Sequence, residues 1–183
     1  MNSAYKNEKM SKIFDFIYVA NFRKEKNHIQ LISIFQRIIS KSNNNNLSLC
    51  LVGDGPETKN IKNYIKSLGL VKNIHLMGSV PQPSTFIDQS KVFLFPSKSE
   101  GYPNAVIESI FNNVPVVGFK ECEVLQEIII HGSLGFLSNN EQEFVENALK
   151  ALEFSINKKD QNQLKDKHDW HNFKLKISSI LNP

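Results

Sequence analysis

The sequence predicts an α/β domain with one mostly parallel sheet of about six strands and helices on both faces. Two observations lead there. Short apolar runs rich in β-branched and aromatic residues recur along the chain and stop at Gly, Pro or Asn. Between them, apolar residues fall three or four apart, which is the period of an amphipathic helix. Strands that alternate with helices in this way return in parallel, because the helix serves as the crossover.

Each element can be justified in turn. Residues 1–12 are polar and read as a disordered or linker segment. Residues 13–20 (IFDFIYVA) are the first strand, and residues 28–40 a helix with Ile29, Ile32, Phe35 and Ile39 as its stripe. Asparagines fill 43–46, a turn-rich spacer before the second strand at 47–52. A helix at 57–68 follows, with Gly69 as its C-cap, and then a strand at 74–77 ending at Gly78. A helix of one or two turns starts at Ser84 or Thr85 and reaches Gln89. The strand at 92–95 is closed by Pro96 and Ser97. Pro103 suits the first position of a helix at 103–113, because the amide it lacks would have no intrahelical partner there. A strand at 114–118, a helix at 123–130, a turn at 132–135, a short strand at 136–137 and a helix at 141–154 complete the domain, 13–155. Residues 156–183 read as a helical tail in which Trp170, Phe173, Ile177 and Ile180 fall at helical spacing.

Composition narrows the function classes. At 183 residues the chain can bury a proper core, and 40% hydrophobic with 22% charged residues is the balance of a soluble globular domain. A net charge of +4 is too small for a dedicated nucleic-acid binder, though it leaves room for attraction to an anionic membrane face. Cys50 and Cys122 form neither a disulfide framework nor a zinc spacing, so the expected setting is a reducing cytoplasm. The first ten residues have no apolar centre as a signal peptide would, and no run is long enough to span a bilayer.

Ligands of such sheets bind outside the carboxyl ends of the strands, so the loops at 21–26, 53–56, 78–80 and 98–102 gather on one rim. Gly53-Asp54-Gly55 is not a dinucleotide fingerprint, because the third glycine would fall at Thr58; it is a tight turn that a nucleotide can approach. There is no P-loop sequence. His168 and His171, at i and i+3, could ligate a metal but have no further ligand nearby and read as solvated side chains; His75 reads as a rim or surface residue and His131 as a helix-end residue. The rim's densest chemistry lies at 98–108. Glu100 and Gly101 precede Pro103, and the helix start exposes the amides of Asn104 and Ala105, which suit a phosphate. Glu108 lies one turn on, roughly 6 Å along the axis from Asn104. Two carboxylates would repel a bare phosphate but would accept hydrogen bonds from hydroxyls. A diphosphate with a hydroxyl-rich ring at each end, a nucleotide-sugar, satisfies both demands.

Glu100 and Glu108, separated by seven residues and followed by Val114-Pro115-Val116-Val117-Gly118, resemble the Glu-x7-Glu signature of retaining glycosyltransferases of group 1 (family 4). Residues 18–27 (YVANFRKEKN) resemble that family's first strand and phosphate loop; 51–56 (LVGDGP), 74–78 (IHLMG) and 127–135 match its later segments, so the likeness spans about residues 13–155. It implies one Rossmann-like half of a GT-B fold, the C-terminal donor-binding domain, whose acceptor-binding N-terminal half is absent from these residues.

By that resemblance Glu100 meets the transferred sugar, Glu108 the ribose, and Gly101, Tyr102, Pro103, Asn104 and Ala105 surround sugar and phosphate. Gly53 and Gly78 let the nucleotide approach. Lys26, catalytic with Glu100, neutralises the diphosphate as it leaves. The family's arginine position holds Asn21, and Arg23 would assist in its place. Nothing beyond the nucleotide-sugar substrate, neither metal nor cofactor, is implied. The site lies in the cytoplasm or at the inner face of the membrane and serves surface polysaccharide or glycolipid synthesis. A non-catalytic nucleotide-sugar-binding module is the alternative, and Asn21 is the feature that supports it.

Overall fold

The structure, a computed structural model, describes residues 12–167. The expectations for 1–11 and for the stripe Trp170, Phe173, Ile177 and Ile180 lie outside these residues. Six strands form one sheet: β1 (Phe14–Val19), β2 (Leu49–Val52), β3 (Ile74–Gly78), β4 (Ser90–Phe95), β5 (Val116–Phe119) and β6 (Gly135–Ser138). Their order is β3-β2-β1-β4-β5-β6, and every pairing is parallel. Seven α-helices lie among the described residues: α1 (His28–Ser42), α2 (Thr58–Ser67), α3 (Pro83–Asp88), α4 (Asn104–Phe111), α5 (Glu123–Ile128), α6 (Glu141–Ala151) and α7 (Lys158–Lys167). Contacts group α1, α2 and α6 on one face and α3, α4 and α7 on the other.

The inner strands are apolar through their centres and carboxyl ends because helices cover both faces, while Asp15 and Lys91 pair at the amino ends of β1 and β4. Phe16, Ile17, Tyr18, Leu49, Leu51, Phe93, Leu94, Val116 and Val117 are fully buried. At the sheet edge, β3 alternates instead, with Ile74 buried and His75 exposed. The α1 stripe is broader than its sequence spacing suggests. Ile32 and Phe35 are buried as expected, but Leu31, Ile34 and Ile38 are buried too, while Ile29 and Ile39 are only partly covered. The reason is that α1 packs on α6 and α2 as well as on the sheet, where Phe35 meets Phe16. Ion pairs Arg37–Glu141 at 2.8 Å and Lys41–Glu146 at 2.6 Å join its outer side to α6.

Most boundaries shift by one to three residues from expectation, and at two of them a proline is the cause. Pro103 is the N-cap of α4 rather than its first residue, with φ −87° and ψ 76°. The Asn104 N–H bonds back to the Tyr102 carbonyl at 3.1 Å, which holds Pro103 outside helical geometry. β5 starts after Pro115, since proline has no N–H for the ladder. The tail begins by packing on the domain: the Gln161 side chain is buried and donates to the Ile110 carbonyl at 2.5 Å.

Gly53 is where the sheet and the rim meet. Its φ is +139°, and a Cβ there would lie 2.0 Å from the Ala20 carbonyl oxygen. Ala20 N–H donates to Val52, Phe22 N–H to Asp54, and Gly53 N–H to Gly78, so three strand ends are laced together by backbone alone. Gly53→Ala should lower unfolding stability by at least about 2 kcal/mol. Gly101→Ala, whose Cβ would meet nothing within 4 Å, should stay within about 0.5 kcal/mol of the parent. Urea denaturation of the two variants measures both.

Candidate functional site

Between β1 and β4 the chain departs in opposite directions, to β2 on one side and to β5 on the other. Such a divergence opens a crevice at the carboxyl ends of the strands. A cavity of about 360 Å³ lies there. Its floor is Tyr18 to Asn21 at the end of β1, with Gly53 and Phe95 beside it. Lys26 and Glu100 stand across it, and Tyr102, Pro103, Asn104 and Ala105 form the wall at the start of α4.

Lys26 Nζ and Glu100 Oε1 form an ion pair at 2.5 Å, with 24% and 16% of their side-chain surfaces exposed. The pair spans the loops that follow β1 and β4. Both loops are tied to the sheet by Tyr18, whose hydroxyl donates to the Lys26 carbonyl at 3.0 Å and shares a hydrogen bond with Ser97 Oγ at 3.0 Å. Burial pushes the Tyr18 phenol well above its ordinary pKa, so it stays protonated and keeps a hydrogen to donate. The Asn27 side chain adds a bond to the Pro96 carbonyl at 3.3 Å.

Of the expected site residues, the cavity brings together Asn21, Lys26, Gly53, Glu100, Tyr102, Pro103, Asn104 and Ala105. Ser79, Val80 and Pro83 line it as well, beyond Gly78, which turns at φ +70° without lining it. Gly101 adjoins the cavity but does not line it either. Only one of the two expected helix-start amides remains: Asn104 N–H is committed to Tyr102, and Ala105 N–H has no acceptor among the described residues. Glu108 is exposed and outside the lining, yet desolvation by its neighbours raises its pKa. Arg23 does not face this cavity at all; it lines a neighbouring one with Lys24 and His28.

Sequence reasoning missed Tyr18 and His28. A tyrosine inside an otherwise apolar strand was the available signal for the first. For His28 there was none, because its burial depends on the rings of Tyr18 and Phe22, 4.9 and 4.6 Å away. Among the described residues, no three His, Cys, Asp or Glu side chains gather as metal ligands would, and no helix is long and apolar enough to cross a membrane.

The family whose sequence model matches residues 3–178 is described as glycosyl transferases group 1. The chain belongs to that family. An uncharacterized glycosyltransferase of Haemophilus influenzae is 30% identical over 127 residues, 69% of this chain and 35% of that protein. The capsular polysaccharide biosynthesis glycosyltransferase CapH of Staphylococcus aureus is 35% identical over 119 residues, 64% of this chain and 32% of CapH. Thus the chain spans about a third of the length of these curated relatives. Among solved structures, Anabaena Alr3699/HepE in complex with UDP and glucose superposes with a TM-score of 0.77 over 93% of this chain and 48% of that one, at 21% identity. The fold is therefore that of one Rossmann-like half of a GT-B glycosyltransferase.

His28 makes stability depend on pH. Burial, with Lys26 nearby, lowers its pKa from 6.5 to about 4. The folded chain resists the proton that the unfolded chain takes up between those values. Stability is therefore full above pH 6.5 and falls as pH drops towards 4, by up to about 3 kcal/mol. His28→Phe should flatten that part of the curve. Urea midpoints for parent and variant at about pH 7.5 and 4.5 give the difference.

Proposed function

We propose that this domain binds the nucleotide-sugar donor of a retaining glycosyltransferase acting in bacterial surface polysaccharide or glycolipid synthesis. The Lys26–Glu100 pair in the β1/β4 crevice carries this reading. The cation and the carboxylate occupy one spot and satisfy each other. A ligand with a diphosphate and a sugar can part them, the phosphate taking Lys26 and the sugar hydroxyls taking Glu100. Few simpler ligands supply both groups. HepE's complex with UDP and glucose and the capsular polysaccharide role in CapH's name support the ligand class and the setting.

In this reading Lys26 stabilises the negative charge that gathers on the diphosphate as the sugar leaves, which is electrostatic stabilisation of developing charge. The Ala105 N–H and the positive end of α4 act on the same phosphate. Gly101 leaves open space beside Glu100 for the sugar. Glu108 is assigned the ribose hydroxyls. Asn21 lies on the floor where the family's pattern places arginine, so the diphosphate meets one cation fewer. An acceptor-binding half outside these 183 residues would close over the crevice and exclude water. The reaction would take place in the cytoplasm, at or near the inner membrane face.

A second reading keeps the binding and drops the chemistry: a nucleotide-sugar-binding module, favoured by Asn21. Transfer by the chain joined to an acceptor-binding half would decide against it.

The test is calorimetric, using the nucleoside diphosphate that raises the melting temperature most in a thermal-shift screen. Lys26→Ala should weaken its binding about tenfold to a hundredfold, or about 1.5–3 kcal/mol, and leave the bare nucleoside unaffected. Glu100→Gln should act in opposite directions. By freeing Lys26 it should tighten the diphosphate, and by removing a hydroxyl acceptor it should weaken the nucleotide-sugar. Equal effects of Lys26→Ala on nucleoside and diphosphate would rule out the phosphate contact.

A further inference from the structure

Lys26 and Glu100 meet in the β1/β4 crevice, but neither sits on a well-packed element. Lys26 ends a 3-10 turn, Lys24–Lys26, that buries none of its residues. Glu100 lies in the loop between β4 and α4, where Lys98, Ser99, Gly101 and Tyr102 around it are exposed. Ser97 is the last buried residue before that exposed stretch. Two charged groups on such loops keep a fixed separation only if the backbone beneath them is fixed.

Both loops bond to one atom, the Tyr18 hydroxyl oxygen. A phenol has a single hydrogen and the Lys26 carbonyl can only accept, so Tyr18 gives its hydrogen to Lys26 at 3.0 Å. The 3.0 Å bond to Ser97 must then run towards Tyr18, with the Ser97 hydroxyl donating. The result is a directed chain, from Ser97 through Tyr18 to Lys26. Tyr18 and Ser97 are both fully buried, so water does not readily replace either bond. Packing does not explain the hydroxyl. The Tyr18 ring lies edge-on to Phe93 and Phe95, with centroids 6.2 Å from each, and phenylalanine would pack there without burying a polar group.

We propose that Tyr18 and Ser97 are positioning residues, each acting on one half of the donor through another side chain. Tyr18 sets Lys26 against the diphosphate. Ser97, by hanging the β4 loop from Tyr18, sets Glu100 against the sugar. The proposal rests on the donor reading, to which it adds that the direction of the chain makes the two effects separable. Without the Ser97 hydroxyl, Tyr18 still donates to Lys26 and only the Glu100 loop is released. Without the Tyr18 hydroxyl, both loops are released.

Uridine diphosphate (UDP), UDP-glucose and uridine are titrated calorimetrically into the 183-residue chain and its variants. Ser97→Ala should weaken UDP-glucose several-fold without weakening UDP. Tyr18→Phe should weaken both, UDP by about threefold to tenfold, and leave uridine unchanged. In a Lys26→Ala background, Tyr18→Phe should cost UDP no more than about twofold further, because the group it positions is gone. An undiminished loss in that background would mean that the hydroxyl supports the fold as a whole, and would overturn the proposal. So would a Ser97→Ala variant that binds UDP and UDP-glucose as the parent does, or loses both equally. That result stands even if Tyr18→Phe does not fold. Lys26→Ala alone separates the two claims. If it weakens UDP and Tyr18→Phe does not, the donor reading stands and the positioning proposal falls. If Lys26→Ala leaves UDP binding as it was, the donor reading fails and takes the proposal with it.

Discussion

The parallel pairing of β1 with β4 is the constraint on which the rest of the molecule depends. A parallel strand must leave the sheet at its carboxyl end, and these two neighbours leave it in opposite directions. No connection can then fill the gap between them. The crevice is thus a product of topology before any side chain contributes. Tyr18 converts the gap into a site: from the floor it ties the Lys26 loop and the Ser97 loop to the same hydroxyl. Lys26 and Glu100, distant in sequence, meet because their loops share this anchor.

Much of this was legible in the residues. The apolar runs read at 13–20, 47–52, 92–95 and 114–118 contain the buried strand cores at 16–18, 49–52, 92–95 and 116–119, so their composition announces them. The Glu100-to-Glu108 spacing marked the strand–loop–helix unit, and Lys26 was correctly sent to the same rim. What could not be read was non-local. Gly53 looked like a turn glycine, yet its stricter duty is to clear the Ala20 carbonyl, a contact between two different strands. Arg23 was placed by its nearness to Asn21 in sequence, but a short 3-10 turn at Lys24–Lys26 separates the two cavities. His28 read as the start of a helix because its neighbours in space come from elsewhere in the chain.

The Lys26–Glu100 pair leaves neither charge unsatisfied. With most of each side chain covered, Lys26 and Glu100 would each be poorly solvated alone, and their pairing resolves that. A ligand must therefore better an existing partner for both groups. A bare anion or a bare polyol can satisfy only one of them and strands the other. Under the proposed reading, this mutual dependence alone would discriminate a nucleotide-sugar from its fragments.

The central position of β1 also bears on how the chain comes to fold. Of these six strands β1 is the first in sequence, yet it lies in the middle of the finished sheet, with Phe16 paired to Leu49 on one side and Phe14 to Ser90 on the other. Its partner β2 follows soon after it in synthesis. β4 comes only after α2, β3 and α3 have been made, a delay on the order of several seconds at ordinary translation speeds. During that interval the apolar, half-paired edge of β1 is open to mispairing, and closing it requires a long loop to be drawn in. The same strand order that creates the ligand crevice thus makes the nascent chain most vulnerable at the strand that will become its most protected.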